Sequence, residues 1–137
     1  MRGASLAAAL LLAACATTTG PVTLGGTAWQ LVKIQGSDGT TIAPDDPAKY
    51  TIEFLADGAV AMRIDCNRAR GAWKSPAPGQ LEFGPMAVTR VECPPGSLYD
   101  RFARDVGYVR SYVVRNGHLF IALMADGGVY EFEPRKP

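Results

Sequence analysis

Two cysteines in the body of the chain, Cys66 and Cys93, constrain this sequence more than any other feature. Cys66 lies in Asp65-Cys66-Asn67-Arg68-Ala69-Arg70-Gly71, and Cys93 closes Met86-Ala87-Val88-Thr89-Arg90-Val91-Glu92-Cys93-Pro94. Each ends an apolar run and is followed by a residue suited to turns. If the two are oxidised, only one pairing exists. Closing a loop of that length stabilises by about 3.5 kcal/mol in the chain-entropy model. The alternatives are a pair of separate buried thiols or a metal site. Zinc is disfavoured, because no Cys-x-x-Cys spacing occurs and His118 is the sole histidine. A tie between the two stretches would bring the end of one strand and the start of a helix to a common rim.

The N-terminus bears on which redox state applies. Residues 1–14 have a short basic start and a small apolar run too short to span a bilayer as a helix, the pattern of a secretory signal. Leu12-Ala13-Ala14-Cys15 resembles the lipobox of bacterial lipoproteins, in which the cysteine is acylated and becomes the new N-terminus. Cys15 is therefore the expected lipidation site. Ala16 stands where an aspartate would favour the inner membrane, so the outer membrane is the expected location, with the domain facing the periplasm. Residues 15–23 form the lipidated end and a Thr-, Gly- and Pro-containing tether, and residues 24–134 form one domain. That compartment is oxidising, which favours the disulfide. Losing Arg2 from the 14 basic residues leaves 13 against 13 acidic ones. A neutral chain lacks the electrostatic footprint of a nucleic-acid binder.

Along the domain, residues 27–35 read as a strand. Trp29 and Leu31 alternate with Gln30, while Val32 and Ile34 point to a twist or two-sided burial. Residues 36–47 are a turn-rich loop. Residues 49–55 place Tyr50, Ile52 and Phe54 on one face and Thr51 and Glu53 on the other. Ala56-Asp57-Gly58 is a hairpin turn into residues 59–64. Trp73 opens another short strand, stopped by Pro76 and Pro78, and residues 80–83 alternate briefly. Ser97-Leu98-Tyr99-Asp100 has capping-box spacing. It predicts a helix with Leu98, Phe102 and Val106 on its apolar face, Arg101 and Arg104 facing away, and Gly107 at its end. Residues 109–115 and 118–124 are strands joined by Asn116-Gly117, and Asp126-Gly127-Gly128 turns into residues 129–133. The expected fold is mainly β with one α-helix. It is a curled antiparallel sheet or partial β-barrel of about seven to eight strands, with Phe102 plugging the core.

These residues resemble a family. Trp29-Gln30-Leu31, the Asp57-Gly58 turn, Cys66-Asn67 with Gly71, Leu81-Glu82-Phe83-Gly84, and Met86-Ala87-Val88-Thr89-Arg90 ending in Cys93-Pro94 are similar to the META domain, also called HslJ-like. The resemblance spans roughly residues 24–133. One departure is that Met62, Arg63 and Asp65 stand where the family often has glycines before Cys-Asn. The resemblance implies a compact β-rich fold wrapped on a helix, and links to heat-shock response and to secretion or motility. The family fold has been likened to that of secretin pilot lipoproteins. No catalytic residues and no cofactor come with it.

Asn67 and Thr89 either line a small pocket or satisfy turn backbone groups. Arg68, Arg70 and Arg90 either gather into a basic patch for an anion or acidic peptide, or are solvated and paired with Asp65 and Glu92. A Ser-His-Asp arrangement would have to use His118 with Ser37, Ser75, Ser97 or Ser111, and none of these serines sits in a Gly-x-Ser-x-Gly setting. Gly25-Gly26 and Gly127-Gly128 read as turns, not phosphate cradles. The expectation is a monomeric, non-enzymatic envelope module that binds or supports another envelope protein or peptide. A protease inhibitor or pilot-type chaperone that binds a peptide or lipid in its β-groove is the first alternative and a hydrolase the second. An exposed apolar groove beside the helix would favour the first alternative, and His118 near a serine the second.

Overall fold

The computed structural model describes Gly3, residues 10–13 and residues 23–136. The lipidation site expected at Cys15 lies outside the described residues, as do most of the signal segment and tether. Ten strands and one α-helix follow in order: β1 (Thr27–Gln35), β2 (Thr41–Ile42), β3 (Tyr50–Phe54), β4 (Ala59–Ile64), β5 (Asn67–Lys74), β6 (Glu82–Phe83), β7 (Ala87–Val88), α1 (Tyr99–Asp105), β8 (Val109–Arg115), β9 (His118–Leu123) and β10 (Val129–Pro134). They form one antiparallel sheet in the order β6-β5-β4-β3-β1-β10-β9-β8, with β2 added to β1 and β7 to β5. The sheet is nearly closed as a barrel. At its single seam the Leu81 N–H donates to Arg110 O at 3.0 Å and the Tyr112 N–H to Gly79 O at 2.9 Å.

The alternation of strand residues fills the interior. Tyr50, Ile52 and Phe54 from β3 meet Val60, Met62 and Ile64 from β4, and Leu119, Ile121, Tyr130 and Phe132 close the far wall. The irregular spacing in β1 has a geometric cause. Its register against β10 shifts between Leu31 and Lys33. This bulge turns both Leu31 and Ile34 into the core and sends Lys33 outward. Phe102 supplies the plug: it is buried, 5.4 Å from the Tyr130 ring and 6.3 Å from those of Tyr50 and Phe132. Helix α1 thus caps the barrel end where β3 starts and β4 ends.

Several local expectations need correction. The strand expected to open at Trp73 starts at Asn67, and Trp73 stands near its end. An alternation of Asn67 and Ala69 with two arginines hides a strand, since its buried side is polar or small. Ser97 Oγ accepts the Tyr99 N–H at 3.1 Å, but Asp100 is exposed and makes no reciprocal bond among the described residues. The α-helix ends at Asp105, and Gly107 lies within a following 3-10 turn, Val106–Tyr108. Arg101 does not face away; its Nε is buried, 3.6 Å from Asp105.

Candidate functional site

The two cysteine stretches meet at the helix-capped end. Asp65-Cys66 is the two-residue connection between Ile64 and Asn67, which pair across β4 and β5. Asp65 takes φ 56°, a left-handed conformation in which aspartate is among the few tolerated side chains. It thereby does a glycine's work in the stretch where the family often has glycines. Cys66 is bonded to Cys93 with a Cα–Cα separation of 5.6 Å.

Asn67, next to the disulfide, is fully buried. Its Nδ2 donates to Val91 O at 2.9 Å, and its Oδ1 accepts the Val91 N–H at 2.8 Å and the Thr89 hydroxyl at 2.9 Å. Thr89 Oγ1 in turn accepts the Arg68 N–H at 2.9 Å. One side chain therefore pairs with residue 91 as a neighbouring strand would. A buried amide without such partners would cost about 1–3 kcal/mol. Asn67 and Thr89 are committed to holding residues 89–91 against β5, the second of the two roles their sequence allows.

The arginines stand differently. Arg68, Arg70 and Arg90 are exposed, and among the described residues none forms an ion pair. The carboxylates nearest in sequence, Asp65 and Glu92, do not neutralise them. Arg68 and Arg70 occupy the outer face of β5, and Arg63 of β4 is the direct cross-strand neighbour of Arg68. Arg63 turns its guanidinium to the backbone, with Nε donating to Asp65 O at 3.1 Å. Like charges on one sheet face repel, so the patch is destabilising unless something anionic answers it.

Beside the patch a cleft of about 730 Å3 opens between residues 88–97 and α1. Val88, Val91, Tyr99 and Ala103 supply apolar wall, and Arg90, Glu92, Asp100 and Arg104 supply charge. Val91 is 61 % exposed within it. A groove does run beside the helix, but its walls are mixed rather than apolar. Inside the barrel, a cavity of about 20 Å3 beside Phe102 and one of about 30 Å3 beside Met62 and Ala69 are each too small for more than a water-sized guest.

Two polar groups escaped sequence reasoning. The Tyr130 hydroxyl donates to Asp105 Oδ2 at 2.6 Å inside the barrel mouth. Burial first, and then this hydrogen bond, push the phenol far above its ordinary value, so it stays neutral. Arg104 Nε lies 3.1 Å from the other Asp105 oxygen. The partners are 25 residues apart, and no local pattern signals the pair. On the outer face His118 Nδ1 lies 2.9 Å from Glu131, which also meets Lys33 at 3.5 Å. His118 thus takes a glutamate as its neighbour, while Ser97 is used at the helix start. Among the described residues no group of three or more His, Cys, Asp or Glu is placed to hold a metal.

None of the curated proteins matches this sequence. Among solved structures, an NMR structure of a protein from Burkholderia xenovorans is similar over 100% of this chain and 99% of its own, with TM-score 0.69 and 19% identity. The crystal structure of a DUF4847 family protein from Bacteroides vulgatus is similar over 83% of this chain and 96% of its own, with TM-score 0.60 and 15% identity. At these identities the likeness establishes the fold alone. The sequence itself matches the META domain model over residues 22–137, which takes in the Cys66-Asn67 turn, the Thr89 latch and helix α1: the chain belongs to the META domain family.

Proposed function

We propose that this protein is a non-enzymatic, lipid-anchored module of the bacterial cell envelope that holds an acidic partner against the Arg68, Arg70 and Arg90 seam, in envelope stress or secretion. The observation that carries the reading is three exposed arginines, beside a cleft, with no carboxylate answering them among the described residues. Anchoring rests on Leu12-Ala13-Ala14-Cys15, with the outer membrane favoured by Ala16. The Cys66–Cys93 bond fits an oxidising compartment such as the periplasm. A second reading, an inhibitor or pilot-type chaperone that takes up a peptide, draws support from the cleft along α1.

Fluorescein-labelled poly-L-glutamate tests the seam. Wild-type protein should bind it, more weakly as salt rises from 0.1 M, where charges are screened over about 10 Å, to 1 M, where they are screened over about 3 Å. Arg68→Glu, Arg70→Glu and Arg90→Glu together should abolish binding. Binding unaffected by the triple reversal would remove the seam from consideration. Separately, Cys15→Ser should free the protein from membranes. Retention through a carbonate wash, with no labelling of the wild type by palmitate, would refute the anchor.

A further inference from the structure

We propose that the segment Thr89-Arg90-Val91-Glu92 is an open strand edge, and that an extended acidic peptide of a partner protein adds to it as a further β-strand, filling the cleft against α1. The proposal rests on the acidic-partner reading above and gives that partner its form.

The backbone carries the argument. The Thr89 N–H donates to Arg68 O on β5 at 2.9 Å, and two residues on, both main-chain groups of Val91 go to the Asn67 side chain on the same strand. This spacing of two is that of extended chain, in which successive residues turn their N–H and C=O to opposite sides. Arg90 and Glu92 therefore turn theirs away from β5, while the Thr89 carbonyl accepts the Tyr99 hydroxyl at 3.2 Å at the cleft wall. Among the described residues the N–H and C=O groups of Arg90 and Glu92 have no hydrogen-bond partner. An exposed row of such groups is a template for another chain.

The edge is also rigid and bounded. Asn67 fixes its middle and the disulfide its end. Pro94 and Pro95 have no N–H to offer and stop it. A strand added here would lie one inter-strand step, about 4.8 Å, from Val91. One face of it would meet Val88, Arg90, Tyr99 and Ala103; the other would look toward Arg68 and Arg70 on the outer face of β5. Charge selects acidic side chains on that outer face, because among the described residues no carboxylate pairs with Arg68 or Arg70. Glu92 and Asp100 exclude acids from the opposite end of the cleft. A partner with acidic and β-branched residues in alternation fits both faces.

The probe is a fluorescein-labelled hexapeptide, Thr-Val-Glu-Val-Asp-Val, and a twin N-methylated at alternate residues, each titrated into the full chain by anisotropy. The parent peptide should bind, and the twin should bind at least tenfold more weakly, since each lost hydrogen bond removes about tenfold in affinity. Glu92→Pro, which deletes one cleft-facing donor, should also cost about tenfold with an unchanged melting temperature. Parent and twin binding equally, both lost on the triple arginine reversal, would overturn strand addition while leaving the acidic seam intact. Twin-sensitive binding that ignores the reversal would keep strand addition and discard the seam. No binding of the parent at millimolar concentration would overturn the strand proposal outright, with poly-L-glutamate left to judge the seam.

Discussion

The barrel is held together differently on its two sides. The wall β1-β10-β9-β8 is backbone-built: strands of six to nine residues run in long antiparallel ladders, and Asn116-Gly117 turns one into the next with φ 52° and 76°. Beyond the six-pair ladder of β4 and β5, the wall is largely side-chain-built: β6 and β7 pair over two residues each, and residues 89–93 are held by a single backbone bond, one asparagine, one threonine, the Tyr99 hydroxyl and one disulfide. A ladder consumes its own donors and acceptors. A latch holds a segment in place and leaves its other edge open, so the side built with fewer backbone bonds is the one with main-chain groups to spare.

The largest effect should come from the residue shared by both walls. Phe102→Ala removes the ring that touches Tyr50, Tyr130 and Phe132, and should cost about 3–5 kcal/mol in urea unfolding from lost burial plus a cavity. A loss under about 1 kcal/mol would place α1 outside the core and dissolve the distinction between plug and wall. Next comes Cys66→Ala with Cys93→Ala, expected to cost about 3.5 kcal/mol. Hydrogen exchange should quicken at residues 87–93 well before residues 119–123; equal quickening on both sides would mean that the disulfide ties the whole barrel rather than one wall. Two reactive thiols in the denatured, unreduced protein would end the matter sooner.

Asn67→Ala should cost about 2–3 kcal/mol, because it strands the Val91 N–H and C=O and the Thr89 hydroxyl together. Restoring it with Asn67→Asp should fail, since a carboxylate cannot donate to Val91 O. The smallest effect belongs to the ladder wall. Burial pushes the Glu131 carboxyl up, but His118 and Lys33 outweigh it and hold the group below its ordinary 4.5. A depressed carboxylate adds stability above its unfolded pKa and loses it as pH falls through the folded value. Urea midpoints of the wild type should therefore drop more steeply below pH 4.5 than those of Glu131→Gln. Parallel curves would show that the cluster is a surface ornament.

The two walls also differed in how far the sequence disclosed them. The backbone-built wall is written in local signals: Trp29 and Leu31 alternating, Asn116-Gly117 turning, Val129 to Phe132 alternating again. Strands β1 and β8 begin and end where those signals place them. The side-chain-built wall is written in pairs of distant residues. Asn67 and Val91 are 24 apart, and a polar residue with no exposure cannot be told from a turn residue until its partner is seen. Asp105 and Tyr130 are concealed for the same reason. Of the candidate site, the disulfide was legible because only two cysteines compete for it. The open edge at Arg90 and Glu92 was not, because it consists of main-chain groups that every residue carries.

One pairing described above also governs when the molecule can become itself. β1 lies between β3 and β10, so the first long strand is completed by the last, and the side chains of Gln30 and Glu133 that meet at 2.6 Å are 103 residues apart. Loop closure over such a separation is slow compared with hairpin formation. During synthesis the wall cannot close before β10 has emerged, and until then Leu31 and Ile34 lack one flank. The local hairpins β3-β4 and β4-β5 need no such wait, so the barrel closes last along β1, where its most distant strands meet.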